Sequence, residues 1–145
     1  MLPPFNSAGD LPEGIYPADW NEIETHFGKS SERRVAALAR LRHLRELADR
    51  TGALVRFLIF GSFVSTAADP RDVDVVLVMT ADFRMEDAPR ESRTLFSHPD
   101  AEARFGASVF WVREGMLLEE QMRQFLETWQ TKRDGTKRGI VEITP

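Results

Sequence analysis

The stretch that decides the fold covers residues 56–79 and reads RFLIFGSFVSTAADPRDVDVVLVM. Residues 54–60 are apolar except for Arg56, and residues 73–79 are apolar except for Asp74. Two continuous apolar runs of this length, separated by a turn-rich segment, predict neighbouring strands that are buried on both faces. The residues with the clearest chemical character in the chain lie between the two runs.

Two carboxylates open the second predicted strand. Alternate residues of a strand point to the same side, so Asp72 and Asp74 share a face at a backbone separation of roughly 7 Å. Such a pair, completed by water and phosphate oxygens, suits the octahedral oxygen shell of Mg²⁺, with Mn²⁺ as the alternative ion. Gly61 allows close approach of the backbone to a ligand, and the amides that follow, with the Ser62 hydroxyl, can receive a polyphosphate. Alternatively, the carboxylates only mark where a strand leaves a solvated loop.

This arrangement resembles the nucleotidyltransferase superfamily of DNA polymerase β type, in which a Gly-Ser after one strand precedes an Asp-x-Asp on the next. In this chain nine residues separate Ser62 from Asp72. The resemblance by motif covers residues 54–79. A wider likeness to small, uncharacterised prokaryotic proteins of minimal type in that superfamily involves Pro3-Pro4-Phe5-Asn6, Gly9-Asp10-Leu11-Pro12 and Lys137-Arg138-Gly139-Ile140-Val141.

The resemblance implies an α/β (α+β) fold with a mixed sheet of about three to five strands flanked by helices. It further implies that Gly61 and Ser62 hold the β and γ phosphates of an NTP, and that Asp72 and Asp74 are the catalytic, metal-binding residues. An NMP would pass to a hydroxyl or phosphate acceptor on protein, RNA or a small molecule. Small members of the superfamily often occur in toxin–antitoxin or defence pairs, so a cognate antitoxin or another partner protein is expected as well.

The third predicted strand departs from the family pattern. Residues 107–112 are rich in β-branched and aromatic side chains, which predicts a strand. Superfamily members that transfer nucleotides usually carry a third acidic residue there, whereas Ser108 takes the position expected to face Asp72 and Asp74. Glu114, just past this strand, is a possible substitute. Without it, the alternative function is a catalytically weakened nucleotide- or partner-binding module on the same fold.

Composition narrows the class of protein. A chain of 145 residues with 42% hydrophobic residues fits one domain over residues 1–145, beginning with an extended arm over residues 1–16. The net charge of −4 disfavours a general nucleic-acid-binding protein. The absence of cysteine excludes a disulfide framework, a thiol nucleophile and a zinc knuckle. With no signal-like start and no long apolar run, a soluble cytoplasmic protein without a membrane partner is expected.

Helical periodicity predicts helices both before and after this central stretch. Pro17 is expected to begin a helix that Gly28 ends, and Ser30 or Ser31 to begin a longer one that Gly52 ends. The apolar stripe of the longer helix comprises Val35, Leu38, Leu41, Leu44 and Leu47. Further helices are predicted over residues 84–96, 99–105 and 116–130, and a last strand over residues 139–143. The expected core residues of the 116–130 helix are Leu118, Met122, Phe125, Leu126 and Trp129.

Several polar groups have two interpretations. The arginines of the longer helix, Arg33, Arg34, Arg40, Arg42, Arg45 and Arg50, form either a solvated face or an anion-binding surface, and the solvated face is the preferred interpretation. The basic residues Lys132, Arg133, Lys137 and Arg138 are either solvated or contact the triphosphate or the acceptor. His98 is expected at a helix start rather than in catalysis, and Trp129 in the core rather than against a base.

Overall fold

The computed structural model describes residues 2–144, which form five strands and four α-helices. The strands are β1 (Ile15–Ala18), β2 (Leu54–Phe60), β3 (Val73–Met79), β4 (Ala107–Arg113) and β5 (Ile140–Ile143). The α-helices are α1 (Trp20–Phe27), α2 (Glu32–Asp49), α3 (His98–Phe105) and α4 (Glu119–Trp129). Short 3-10 segments occupy Ser62–Val64, Met85–Asp87 and Arg90–Phe96. No helix in this described part has the length and apolar character needed to cross a bilayer.

The five strands form one mixed sheet in the order β1-β5-β2-β3-β4. Strand β2 lies antiparallel to both β3 and β5, whereas β1 and β5 are parallel, as are β3 and β4. The predicted α/β fold with a mixed sheet is confirmed. So is the prediction that residues 54–60 and 73–79 are neighbours, and this adjacency places the Gly-Ser turn beside the start of β3.

The sheet is covered on both faces, which explains why its central strands are continuously apolar. Phe57 and Val75 pack with α1, α2 and α3 in one core cluster. Leu58 and Val76 point the other way, into a smaller cluster beneath α4. Asp74 shares the parity of Val76, so its side chain belongs to the α4 face.

The first helix begins three residues later than expected. Pro17 lies in β1, which runs parallel to β5, and Asp19 caps α1 by accepting a hydrogen bond from the amide of Glu22 at 2.9 Å. The extended arm is correspondingly shorter, because Ile15 and Tyr16 already belong to β1. The expectation of a helix at Pro17 was wrong because a four-residue strand depends on a partner at the far end of the chain.

The second helix begins where one of the two expected caps stands. The Ser31 hydroxyl accepts a hydrogen bond from the amide of Arg34 at 3.2 Å, and Gly28 ends α1 as predicted. Helix α2 ends at Asp49, and Gly52, at a φ of +69°, lies in the turn that follows.

Two apolar residues lie outside the core although helical spacing placed them there. Val35 is 53% exposed in the first turn of α2, and Leu118 is 74% exposed because it precedes α4 rather than lying within it. Residues 84–96 also differ from the expected helix, since they form two 3-10 segments. Helix α3, strand β4 and strand β5 lie where the pattern predicts them, within one residue.

Candidate functional site

The register of the sheet determines what surrounds Asp74. Strand β3 lies between β2 and β4, with Asp74 opposite Phe60 on one side and Ser108 on the other. The Ser108 hydroxyl donates a hydrogen bond to the Asp74 carboxylate. Ser108 therefore occupies the position facing the aspartate, as the alternation of β4 predicted, and it supplies a hydroxyl where a carboxylate would complete a three-acid site.

Gly61 fits against the same carboxylate. Its φ of +85° is a conformation that side chains rarely adopt, and a Cβ at this position would lie 2.2 Å from Oδ2 of Asp74. Only glycine allows this approach, so the Gly-Ser turn and the Asp-x-Asp strand form one contiguous site. The partly exposed Ser62 begins the 3-10 turn, and its carbonyl accepts hydrogen bonds from the amide and the hydroxyl of Ser65 at 3.2 and 2.7 Å.

A buried arginine holds the segment that follows this turn. Arg34 of α2 is 3% exposed and donates hydrogen bonds to four backbone carbonyls, those of Phe27, Phe63, Ser65 and Ala67. Burial lowers its pKa, an effect that the charge of Asp69 partly offsets. The expectation that Arg34 lies on a solvated face was wrong, because its fork of donors satisfies carbonyls that no sheet or helix uses.

The electrostatics of the pair favour a bound cation. Burial, and then the charge of Asp72, raise the pKa of Asp74 to about 6, while the Ser108 hydrogen bond and the charge of Arg138 act in the opposite direction. Asp72 itself is exposed at the rim. A carboxylate in this position is stabilised by a cation that both aspartates share.

The donor set fits a hard divalent ion held by few protein ligands. Within residues 2–144, no group of three or more His, Asp or Glu side chains is arranged to hold a metal ion. An ion at Asp72 and Asp74 would therefore take its other ligands from water and substrate oxygens. Mg²⁺ commonly binds in this manner, through one or two carboxylates with phosphate oxygens and water, so the residues present fit it.

Glu114 lies too far away to complete this set. Its amide donates to the carbonyl of Met79 at 2.7 Å, at the opposite end of β3 from Asp74. Because β3 and β4 are parallel and in register, Glu114 stands six residues beyond Ser108, or about 20 Å along the strand. Glu114 therefore does not replace the missing carboxylate, and that alternative was wrong.

One member of the C-terminal basic cluster reaches the site. Lys132 and Arg138 flank the carboxylate of Asp10, which is 4% exposed, with nitrogen–oxygen distances of 2.9 and 3.7 Å. Arg138 also acts on the charge of Asp74, so it lies between the N-terminal arm and the aspartate pair. Lys137 donates instead to the Thr131 hydroxyl at 2.6 Å. Sequence reasoning missed Asp10, which lies more than a hundred residues from its partners.

The aromatic residues near the site belong mainly to the core beneath α4. The Trp129 ring lies 4.4 Å from that of Phe110 and 4.8 Å from that of Phe60. Its indole nitrogen is buried and has no hydrogen-bond partner within residues 2–144. The core interpretation of Trp129 thus agrees with its packing. His98 begins α3 at the surface, with its ring 5.0 Å from that of Phe110.

Comparison with known proteins gives a family without an assigned activity. No curated protein and no solved structure matches the chain. One family model matches residues 3–144, and its description is a family of unknown function, DUF6932. Since the match spans nearly the whole chain, this protein belongs to the DUF6932 family.

Proposed function

We propose that this protein is a Mg²⁺-dependent nucleotidyltransferase that moves an NMP from an NTP to a hydroxyl or phosphate acceptor on protein, RNA or a small molecule. One observation carries the proposal. Asp74 lies directly against Gly61 at the start of β3, which supports a shared site for a metal ion on the two carboxylates and for phosphate on the turn. The resemblance to the polymerase β superfamily supports the same assignment.

Each residue of the site has a role in positioning the nucleotide. Gly61 leaves room for the Asp74 carboxylate beside the turn, and the amides of the turn with the Ser62 hydroxyl would hold the β and γ phosphates. Arg138 adds positive charge near Asp74. Mg²⁺, or Mn²⁺, held by Asp72 and Asp74 would offset the charge of the triphosphate.

The chemistry is a substitution at the α-phosphorus. The acceptor oxygen forms a bond to that phosphorus, the bond to the bridging oxygen of the β-phosphate breaks, and pyrophosphate leaves. A hydroxyl acceptor gives its proton to water. The side chains of this chain contribute by orienting the reactants and by charge, because no group here forms a covalent bond to the substrate.

Ser108 favours a second candidate function. A hydroxyl is a far weaker ligand for a hard cation than a carboxylate, and no Asp or Glu lies between residues 107 and 112. A site with two carboxylates can retain a nucleotide with its ion while turning over slowly. This second candidate is a catalytically weakened nucleotide- or partner-binding module on the same fold.

The resemblance extends the proposal to a cytoplasmic setting in which a toxin–antitoxin or defence pair supplies the partner, such as a cognate antitoxin. This part rests on the superfamily alone. Co-purification with the product of an adjacent gene, followed by assay of the complex and of the free chain, tests it. A partner that leaves both nucleotide binding and transfer unchanged contradicts it.

Incorporation of labelled NMP separates the two candidate functions. The protein is incubated with each labelled NTP, Mg²⁺ and either protein or RNA acceptors, with EDTA and with Asp72→Asn as controls. Mg²⁺-dependent labelling that Asp72→Asn abolishes supports the transferase. Binding without labelling supports the weakened module.

Thermal stabilisation measures the binding step on its own. Ligand at a hundredfold its dissociation constant adds about 2.7 kcal/mol of stability, or several degrees in melting temperature for a domain of this size. The wild type should gain this shift with Mg²⁺ and nucleotide, and Asp72→Asn and Asp74→Asn should not. A full shift in both variants would exclude the aspartates from the site and end the proposal.

A further inference from the structure

Apart from the buried Arg34, the arginines of α2 and of its C-cap fall into two groups with different surroundings. Three of them pair with carboxylates: Arg42 with Glu24 at 3.6 Å, Arg45 with Asp49 at 3.1 Å and Arg50 with Glu46 at 2.7 Å. Arg33 and Arg40 have no such partner within residues 2–144. The solvated-face interpretation thus fits the exposed Arg33, Arg42 and Arg50, whereas Arg40 and Arg45 are only partly exposed.

Two more arginines, Arg71 and Arg104, lie near Arg33 and Arg40 at the end of the sheet where β3 and β4 begin. Val73 and Ala107 stand opposite each other, so the residues just before them, including Arg71 and Arg104, come together. Arg40 bridges these segments by donating to the carbonyl of Arg71 at 3.2 Å and to that of Gly106 at 3.3 Å.

Two adjoining cavities follow this end of the sheet, and both are lined by Arg40 and Arg71. One, of about 600 Å³, also contacts Arg33, and the other, of about 750 Å³, extends to Arg104 and to Asp72 of the candidate metal site. We call their combined surface the arginine groove, formed by Arg33, Arg40, His43, Arg71, Arg104 and Phe105.

The charge of the arginine groove differs from that of the whole protein. Four guanidinium groups line it against the two carboxylates of Glu32 and Asp72. Within residues 2–144, none of the four pairs with a carboxylate. The net charge of −4 is therefore compatible with a local surface that attracts anions.

The arginine groove also offers an aromatic surface. Phe105 is partly buried against the core and also lines the larger cavity. Its ring lies 5.7 Å from that of His43, and the guanidinium of Arg104 lies 5.6 Å from the centre of the Phe105 ring. Guanidinium groups along a path with an aromatic ring beside them are the features by which proteins hold the backbone and bases of a single strand. From Arg33 to His43 the path follows α2 for about 15 Å, enough for several nucleotides.

We propose that the arginine groove binds single-stranded nucleic acid, with the backbone phosphates on the four arginines and a base against Phe105. One end of the strand then lies beside Asp72, which lines the same cavity. The role of that strand as the acceptor of the NMP rests on the proposed function, whereas the binding itself does not. An acidic peptide would satisfy the arginines but would make no use of the aromatic ring.

Fluorescence anisotropy with a labelled single-stranded RNA of about ten nucleotides tests the binding, in EDTA and without nucleotide. We expect affinity to fall with rising salt, with a logarithmic slope of about −0.7 for each neutralised phosphate. Arg33→Gln and Arg104→Gln should each flatten the slope by about 0.7 and weaken binding by about fivefold at 0.1 M salt. Arg42→Gln is the matched control on the same helix, and circular dichroism checks the fold of each variant.

Three results would overturn the proposal. The wild type does not bind the RNA, Arg42→Gln weakens binding as much as Arg33→Gln, or polyglutamate of equal charge competes better than unlabelled RNA. Thermal stabilisation by Mg²⁺ with each NTP, measured on the same variants, keeps the two proposals apart. Binding of nucleotide but not RNA removes only the nucleic-acid site, and binding of RNA but not nucleotide removes only the transferase.

Discussion

Replacing Asp74 by asparagine should stabilise the metal-free protein at neutral pH. The pKa of Asp74 is raised from 3.8 to about 6, mainly by burial and then by the charge of Asp72. A group whose pKa is raised on folding favours the folded state while it is protonated, and this contribution is lost as the pH rises through the folded-state pKa. The contribution of Asp74 to the stability of the wild type should therefore be lost between about pH 4 and pH 7, whereas asparagine does not titrate.

The size of the effect follows from the pKa difference. A shift of about two units corresponds to about 3 kcal/mol at full ionisation, which is an upper value because the site is open to solvent on one side. The advantage of Asp74→Asn over the wild type should thus grow with pH, by up to about 3 kcal/mol. For a domain of this size, that corresponds to several degrees in melting temperature.

Urea unfolding in EDTA at several pH values between 4 and 8 measures this difference. Asp87→Asn is the control, since Asp87 is an exposed residue in the 3-10 segment Met85–Asp87. This substitution removes one negative charge from the surface, so the comparison of Asp74→Asn with Asp87→Asn isolates the effect of the position of Asp74. The account of a raised Asp74 pKa would be refuted if the free energy of unfolding of Asp74→Asn followed that of the wild type in parallel across this pH range. It would also be refuted if the stability advantage of Asp74→Asn shrank as the pH rises.

Three further changes test other parts of the site. Ser62→Ala should weaken nucleotide binding by about 1 kcal/mol in calorimetry, and unchanged affinity would remove Ser62 from the phosphate site. Ser108→Asp should lower stability without metal, tighten binding of a second Mg²⁺ and raise any transfer rate, whereas a lower rate with an intact fold would show that another group already serves there. Arg34→Leu should cost about 3 kcal/mol or more in urea unfolding, because four carbonyls lose their donor, whereas Arg42→Leu should change stability by no more than about 0.5 kcal/mol. An equal loss in both would contradict the role assigned to Arg34.

The sequence was sufficient for the features that depend on local pattern. Strands β2 and β3 are apolar on both faces because helices cover both sides of the sheet. This burial is evident in the sequence as two continuous apolar runs. The alternation of β4 likewise placed Ser108 opposite Asp74 before the register was known. Such patterns predict structure because the face on which a side chain lies is determined by its position within its own strand.

The features that were missed depend on partners far along the chain. Strand β1 forms because β5, near the C-terminus, pairs with it. Its Pro17 suggested the first residue of a helix, so the local sequence did not predict a strand. Arg34 looked like its exposed neighbours, but it satisfies carbonyls about thirty residues away. The ion pairs of Asp10 join segments more than a hundred residues apart, and no local pattern encodes them.

The identity of residue 108 also bears on the kind of acceptor that suits this site. A hydroxyl acceptor must lose a proton as it attacks, and in the superfamily that this chain resembles a third carboxylate assists the ion that activates the hydroxyl. A terminal phosphate has a second pKa near 6 and is already ionised at neutral pH. With Ser108 opposite Asp74 and Glu114 about 20 Å away, the site lacks the group that a hydroxyl would need more than a phosphate would. Under the proposed function, this geometry therefore favours a phosphate acceptor, and the arginine groove beside Asp72 has the charge to hold one.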